Sequence, residues 1–342
     1  MAAPRVLAGP LYAHGFSLRK RQWVRKFTGR PDVRFVSSVR RLPADATLLL
    51  WGSAPVPPEA PADVPVVRLE DGFLRSVGLG ADLILPLSWV LDARGIYYSA
   101  VVASDLEQLL QSTDFDAALL ARAAALRHQL VAQRLSKYNL NHAPWQRPAG
   151  WARVVLVTGQ VETDASIRHG APGVRSNLGL LRAVREAAPE AYIVYKPHPD
   201  VVAGLRAAGQ NEDEAQLWCD EVLTRASIAD LLDQVDEVHV MTSLTGFEAL
   251  LRGRHVVCYG QPFYAGYGLT HDMLPLARRT RRLSLDALVA GALILYPVYV
   301  SRVTGLQCEV EQAVSDLLRW RDAGASTDAW WRKWLRPLLR RP

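Results

Sequence analysis

Four short segments carry residues whose types and spacing suit chemistry at a phosphorylated ligand. The first is Thr242-Ser243-Leu244-Thr245-Gly246-Phe247-Glu248-Ala249-Leu250. A strand-like run, EVHVMTS, ends in a hydroxyl cluster, and an apolar helical pattern begins at once. A helix start offers unpaired N–H groups and the positive end of its dipole, which suits a phosphate. The hydroxyls of Thr242, Ser243 and Thr245 can add hydrogen bonds, and Glu248, one turn in, can accept from ribose hydroxyls. Read by itself, the commoner explanation of such a segment is an ordinary N-cap. The second segment is Tyr195-Lys196-Pro197-His198-Pro199-Asp200. Prolines on both sides of His198 stiffen the backbone. A rigid turn presenting Lys196 and His198 suits recognition of a phosphate and a base, and a histidine with only a structural role fits the turn equally well.

The third segment is Gly159-Gln160-Val161-Glu162-Thr163-Asp164-Ala165-Ser166, with Arg168 and His169 close behind. It follows a strand-like run, where α/β folds place ligand loops. A carboxylate there, Glu162 or Asp164, can be a nucleophile or base, although such a group more often caps a helix. The fourth is Glu70-Asp71-Gly72-Phe73-Leu74-Arg75-Ser76-Val77-Gly78-Leu79-Gly80. It offers two acids and an arginine in the same kind of place. Its apolar residues Phe73, Leu74 and Val77 argue against a loop that only faces solvent.

The elements that must position these segments alternate. In the first half VLAGPLY, VRFVSS, TLLLWG and VPVVRLEDG read as buried strands, with Arg5 to Gly9 the first of them rather than part of a signal peptide. Runs that are apolar on both faces suit a parallel sheet covered by helices. Arg19 to Phe27 reads as a basic first helix, the proline-rich stretch Ala54 to Pro65 as a loop, and Ser104 to Leu135 as helical. HAPWQRPAGW, His142 to Trp151, is the linker. The pattern then restarts, with strands in ARVVLVTGQ, AYIVYKPHPD, EVHVMTS and HVVCYG, and helices over Asn177–Ala187, Ser227–Gln234 and Leu244–Leu251. Alternation on both sides of a hinge implies an α/β fold of two doubly wound domains, with ligands at the carboxyl ends of the strands.

Composition agrees. A chain of 342 residues with 49% apolar and 22% charged residues is globular and suits two cores. No apolar run reaches the roughly 18 residues of a membrane span. The three cysteines, Cys219, Cys258 and Cys308, are too scattered for a zinc pattern and read as buried thiols of a reducing compartment. The net charge of +6 is concentrated: Arg332, Lys333, Arg336, Arg340 and Arg341 lie among the last thirteen residues, which hold no acid. The near-neutral body argues against nucleic acid as a partner. Trp330, Trp331 and Trp334 interleave with those cations, which suits either an interfacial segment on anionic lipid or tryptophans packed on the body.

The order and spelling of these segments together are specific. EDGFLRSVGLG, SKYNL, GQVETDASI, YKPHPDVVAGLR, TSLTGFEALLRG, GQPFYAGYGLT and YPVY, from about Leu69 to Cys308, resemble the capsule polysaccharide biosynthesis family. Within it they resemble the KpsC-type retaining β-Kdo transferase modules, the second of the family's tandem pair more than the first. The resemblance implies a GT-B fold: an acceptor-side Rossmann-like domain over 1–147, a CMP-sugar-binding one over 148–300, and a helical segment, 301–342, returning to the first domain. It implies CMP-Kdo as donor, a lipid-linked Kdo-containing acceptor, retention, and no metal or other cofactor. His198 with Pro199, and Ser243, Thr245, Gly246 and Glu248, would hold CMP, with Gln160 and Lys196 beside them. The catalytic carboxylate falls on Asp164; Asp71 is its main competitor but, coming from the opposing domain where the acceptor should sit, better fits a general base, and Glu162 is a weaker rival. Arg168 and Arg75 are the candidates for the carboxylate of the sugar. A second transferase module and the inner membrane surface are the expected partners, and the expected location is cytoplasmic, peripheral to that membrane.

Retention is most simply achieved by two displacements through a carboxylate. A sugar-nucleotide epimerase of the same two-domain plan is the rival enzyme, and an inactive scaffold of the export machinery is the non-enzymatic rival. The His-Pro and Ser/Thr-Gly-Phe-Glu segments weigh against the epimerase, and the full set of acids weighs against decay.

Overall fold

The structure of the chain is a computed structural model, and it describes residues 7, 9–76, 86–136 and 144–323. The first half runs β1 (Leu11–His14), α1 (Leu18–Thr28), β2 (Arg34–Val36), β3 (Thr47–Trp51), β4 (Val66–Asp71), β5 (Ser88–Asp92), α2 (Asp105–Ser112) and α3 (Ala117–Ala132). The second runs β6 (Val154–Thr158), α4 (Ala165–Gly170), α5 (Asn177–Ala187), β7 (Tyr192–Lys196), α6 (Pro199–Val202), β8 (Glu221–Val222), α7 (Ile228–Gln234), β9 (Glu237–Val240), α8 (Leu244–Leu251), β10 (His255–Cys258), β11 (His271–Asp272) and α9 (Leu285–Val289). A π-helical turn, Ala290–Leu295, leads into β12 (Pro297–Val300), β13 (Gln307–Cys308) and α10 (Val310–Asp322).

These strands form two sheets. The six-stranded one, ordered β11-β10-β9-β6-β7-β8, is parallel throughout. Its central strand, Val-Val-Leu-Val-Thr, is buried at every position, as a strand covered on both faces requires. The seven-stranded sheet is ordered β13-β12-β5-β4-β3-β1-β2. Here the expectation of a parallel sheet holds only in part. Strands β2, β1, β3 and β4 are parallel, whereas β5, β12 and β13 each run antiparallel to the neighbour before them. The cause lies after Asp71. Backbone bonds from Gly72 N to Ser88 O (2.9 Å) and Leu87 N to Arg75 O (2.8 Å) extend the β4–β5 ladder, so the chain folds back along β4. The chain returns from the second half to this first sheet at Pro297, which sits opposite Val90 of β5.

Other differences from the sequence reading are local. The expected strand at Arg5–Gly9 falls largely outside the described residues, and the first described strand begins at Leu11. Pairing starts with the carbonyl of Pro10, which accepts from Thr47 N; proline has no N–H with which to carry a ladder further back. The long helical stretch divides at residues 113–116, because Ser104 and Asp116 each cap a new helix with a side-chain acceptor. SKYNL beyond Ser136, the loop over 77–85, His142 of the linker and the Trp-rich tail lie outside the described residues. From Pro144 onward the linker is bound to the second half. Trp145 Nε1 donates to Glu221, and Arg147 bonds Asp236 and the carbonyl of Gln234.

One core joins the halves. Val90, Leu106, Leu126 and Leu130 belong to the same buried cluster as Val154, Val238, Phe247, Leu293 and Tyr296. Burial of each such side chain contributes about 1.5–3 kcal/mol. A separate cluster seats α1 on the outer face of the first sheet, with Phe27 stacked on Trp89 at 4.6 Å. Cys219, Cys258 and Cys308 are free thiols; Cys258 is fully buried and the other two are half-buried. Among the described residues, no helix is long and apolar enough to cross a membrane.

Candidate active site

The carboxyl ends of strands from both sheets open on one cleft of about 550 Å³. Trp51 and Asp71 end β3 and β4 on one wall; Thr158 and Lys196 end β6 and β7 on the other, and Thr242 follows β9. Phe73 crosses the floor, stacked on Phe263 at 4.2 Å and edge-on to Tyr97 at 4.8 Å.

The second-sheet wall is built by loops that lock one another. Gln160 donates through its side chain to Thr242 Oγ1 (3.0 Å) and accepts from Thr242 N (2.9 Å), tying the β6 loop to the β9 loop. Asn177, the first residue of α5, fixes the backbone of Gln160 from the other side through both its amide atoms. Gly159 is required here. A Cβ on it would lie 2.5 Å from Tyr195 Oη and 3.1 Å from the Cα of Pro197, so the β6 and β7 loops meet only over a bare backbone. At the β9 end, Ser243 caps α8 by accepting from Thr245 N, and Tyr264 donates to the carbonyl of Ser243.

Cationic and donor groups converge on this wall. Lys196 is buried, and burial pushes its amine down to about 8. His198 Nδ1 accepts from Asp200 N (3.1 Å), so the neutral ring carries its proton on Nε2 as a donor. Glu248 is buried one turn into α8 and lines the cleft. Asp164 occupies the N-cap position of α4, yet its side chain makes no capping bond; instead Oδ1 accepts from Arg206 at 2.5 Å.

The first-sheet wall has two acids and two cations. Arg75 Nε donates to Asp71 Oδ2 at 2.7 Å. Glu70 accepts from Asp71 N and from Tyr98 Oη, and Tyr97 donates to the carbonyl of Asp71. Lys20 reaches in from α1 with its ammonium 3.1 Å from the centre of the Trp51 ring. Burial lowers its pKa, against the smaller opposing pull of Asp71 and Glu70.

The structure therefore gathers Asp164, Asp71, Arg75, Gln160, Lys196, His198, Pro199, Ser243, Thr245 and Glu248 around one space. Three residues expected at the site face elsewhere. Glu162 spends its carboxylate on the backbone N–H groups of Asn177 and Gln210, so it anchors the chain after α6 instead of facing the cleft. Arg168 is exposed and is not among the residues that line the cleft. Gly246 is buried under Tyr264, whose hydroxyl an added Cβ would strike; it is a packing position. Sequence reasoning missed Lys20, Trp51, Tyr97 and Arg206. The last had a signal, since it closes the YKPHPDVVAGLR segment. Lys20 had none, being one cation in the basic stretch Arg19–Lys26.

The family follows from comparison. A family model described as "Capsule polysaccharide biosynthesis protein" matches residues 58–151 and 124–307. The chain belongs to the capsule polysaccharide biosynthesis family. Within the family it is 47% identical over 323 residues to the "Capsule polysaccharide modification protein LipA" of Neisseria meningitidis serogroup A, covering 92% of this chain and 46% of that protein. It thus spans about half the length of that curated relative. Two solved family structures from Thermosulfurimonas dismutans are similar throughout. The "KpsC, beta Kdo 2,7 transferase" is 40% identical with a TM-score of 0.75, covering 92% of this chain and 100% of that one. The "KpsC, beta Kdo 2,4 transferase" is 31% identical with a TM-score of 0.79, covering 90% and 98%.

Proposed function

We propose that this chain is a retaining glycosyltransferase of GT-B plan that moves Kdo from CMP-Kdo to a Kdo-containing, lipid-linked acceptor. The observation that carries the reading is the cleft itself. An ammonium, an imidazole N–H and a helix start lie on the wall with Asp164, while Asp71 and Arg75 face them from the other sheet. Lys196, His198 and the Ser243 turn hold the phosphate and cytidine of the donor, and Glu248 accepts from the ribose. These groups stabilise the leaving phosphate without a metal. The higher identity to the 2,7 transferase favours that linkage; the slightly higher TM-score to the 2,4 enzyme weighs less, because side chains select the hydroxyl.

The reaction runs in two displacements. Asp164 attacks the ketosidic carbon, the bond from that carbon to the phosphate oxygen breaks, and CMP leaves with the electron pair. An acceptor hydroxyl then attacks the same carbon, the ester to Asp164 breaks, and Asp71 takes the hydroxyl proton. Arg206 replaces Arg168 as the arginine at the donor sugar. It pairs with the Asp164 carboxylate, and once Asp164 is esterified its guanidinium is released to the carboxylate of the sugar. A lipid-linked acceptor would bring the chain to the cytoplasmic face of the inner membrane.

Mass spectrometry of the intact protein tests the roles. With CMP-Kdo, Asp71→Asn should accumulate a Kdo adduct that peptide mapping places on Asp164. Asp164→Asn should form none, lose transfer and still bind CMP. An adduct on another residue, or full activity in Asp164→Asn, would refute the assignment.

A further inference from the structure

Lys20 is a half-buried cation that the transfer steps above do not use. It sits at the cleft end of α1, flat against the Trp51 face, on the wall opposite the donor groups. A desolvated ammonium is retained at a cost unless an anion compensates it. The acids beside it are already engaged: Asp71 with Arg75 at 2.7 Å, and Glu70 with Tyr98 and the Asp71 N–H. Among the described residues no ion pair is formed by Lys20 itself. Trp51 cannot swing aside, being packed edge-on against both Phe16 and Trp89. The ammonium thus lies on a packed ring and lines the cleft together with Asp71.

We propose that Lys20, held on Trp51, is the anchor of an acidic acceptor: it binds the carboxylate of the acceptor's terminal sugar and so decides which hydroxyl is presented to Asp71. This rests on the transferase reading, since it assumes that the first-sheet wall receives the acceptor. The donor sugar has a carboxylate too, but the mechanism proposed above gives that one to Arg206, which pairs with Asp164 across the cleft. An acid sugar adds an anion beside Lys20 that a neutral acceptor lacks, so the corner selects for acid sugars.

The test is a titration followed by ligand-observed NMR. The probes are the methyl glycoside of Kdo, its neutral methyl ester, and CMP; the proteins are the full chain, Lys20→Met and Lys20→Arg. Loss of a charge-assisted contact should weaken the acid glycoside about tenfold in Lys20→Met, and less in Lys20→Arg. CMP affinity should not move, and the ester should bind the unsubstituted chain as weakly as the acid binds Lys20→Met. Equal binding of acid and ester to the unsubstituted chain would overturn the proposal even if Lys20→Met fails to fold. So would unchanged binding of the acid by Lys20→Met, or weakening of CMP in step with the glycoside. Failure of CMP to bind the unsubstituted chain, with the acid–ester difference intact, would sink the transferase reading and leave the Lys20 subsite standing.

Discussion

As the proposed phosphate ligand, a lysine buried at a strand end carries a built-in pH dependence. The Lys196 amine is pushed down to about 8 by burial alone. The sign follows directly. Below about pH 8 the free protein carries the charge that a phosphate needs; above it the amine is neutral, and binding must take up a proton. CMP affinity should therefore fall as pH rises through about 8, and calorimetry at about pH 8.5 in buffers of different ionisation heat should show proton uptake. Lys196→Met should bind CMP weakly and without this dependence. A flat affinity from about pH 7 to about 9.5 in the unsubstituted chain would exclude Lys196 from the phosphate site. At this scale the distinctive segments led to most of the residues that line the cleft, although Gly246, inside one of them, is a packing position. The sequence misjudged Glu162 and Arg168, which are near neighbours of Asp164 along the chain but face away from the cleft. Proximity along a loop does not say which side chains share a face, and only the bonds of Glu162 to Asn177 and Gln210 show that its role is to hold the loop.

Four strands of the second half, β6, β7, β9 and β10, were legible because each is a short apolar, mostly β-branched run next to a turn or cap, whereas the two-residue strands β8 and β11 and the short helices α4, α6 and α9 were not read, being too short to show a period. Those of the seven-stranded sheet were harder to read. The strand Pro297–Val300 pairs with β5, which is distant in the chain, and a local pattern carries no information about such a partner. The antiparallel turn after Asp71 was hidden for the same reason. What the loops between elements demand is testable at Gly159. Alanine there meets the Tyr195 hydroxyl at 2.5 Å and backbone of Pro197 and His198 at 3.1 and 3.2 Å. The tyrosine end can shift but the backbone cannot, so Gly159→Ala should destabilise the fold by roughly 1–3 kcal/mol and displace His198 from the proposed donor site. Thermal melting and CMP titration read the two effects; a variant with unaltered melting and affinity would show that the β6 and β7 loops are not locked together.

Across the whole molecule, the cleft lies between two sheets that share a core. Phe73, reaching from the end of β4, stacks on Phe263 and approaches Phe247. Its truncation removes contacts on both sides of the cleft at once. Phe73→Ala should cost about 3–5 kcal/mol and lower the melting temperature of a single, cooperative transition. Two separate transitions in the unsubstituted chain would mean that the halves fold independently and that the shared cluster contributes little. The same joint brings the candidate groups together: Asp164 and the groups proposed to hold the donor come from the second half, Asp71, Arg75 and Lys20 from the first. The most direct measurement of the account is the anomeric configuration of a product. The full chain is incubated with CMP-Kdo and a synthetic Kdo-terminated glycolipid, with EDTA present, and the product is analysed by NMR. The account predicts a new β-linked Kdo on the acceptor, formed at an undiminished rate in EDTA. An α-linked product, or turnover of the nucleotide sugar with no transfer to the acceptor, would contradict it.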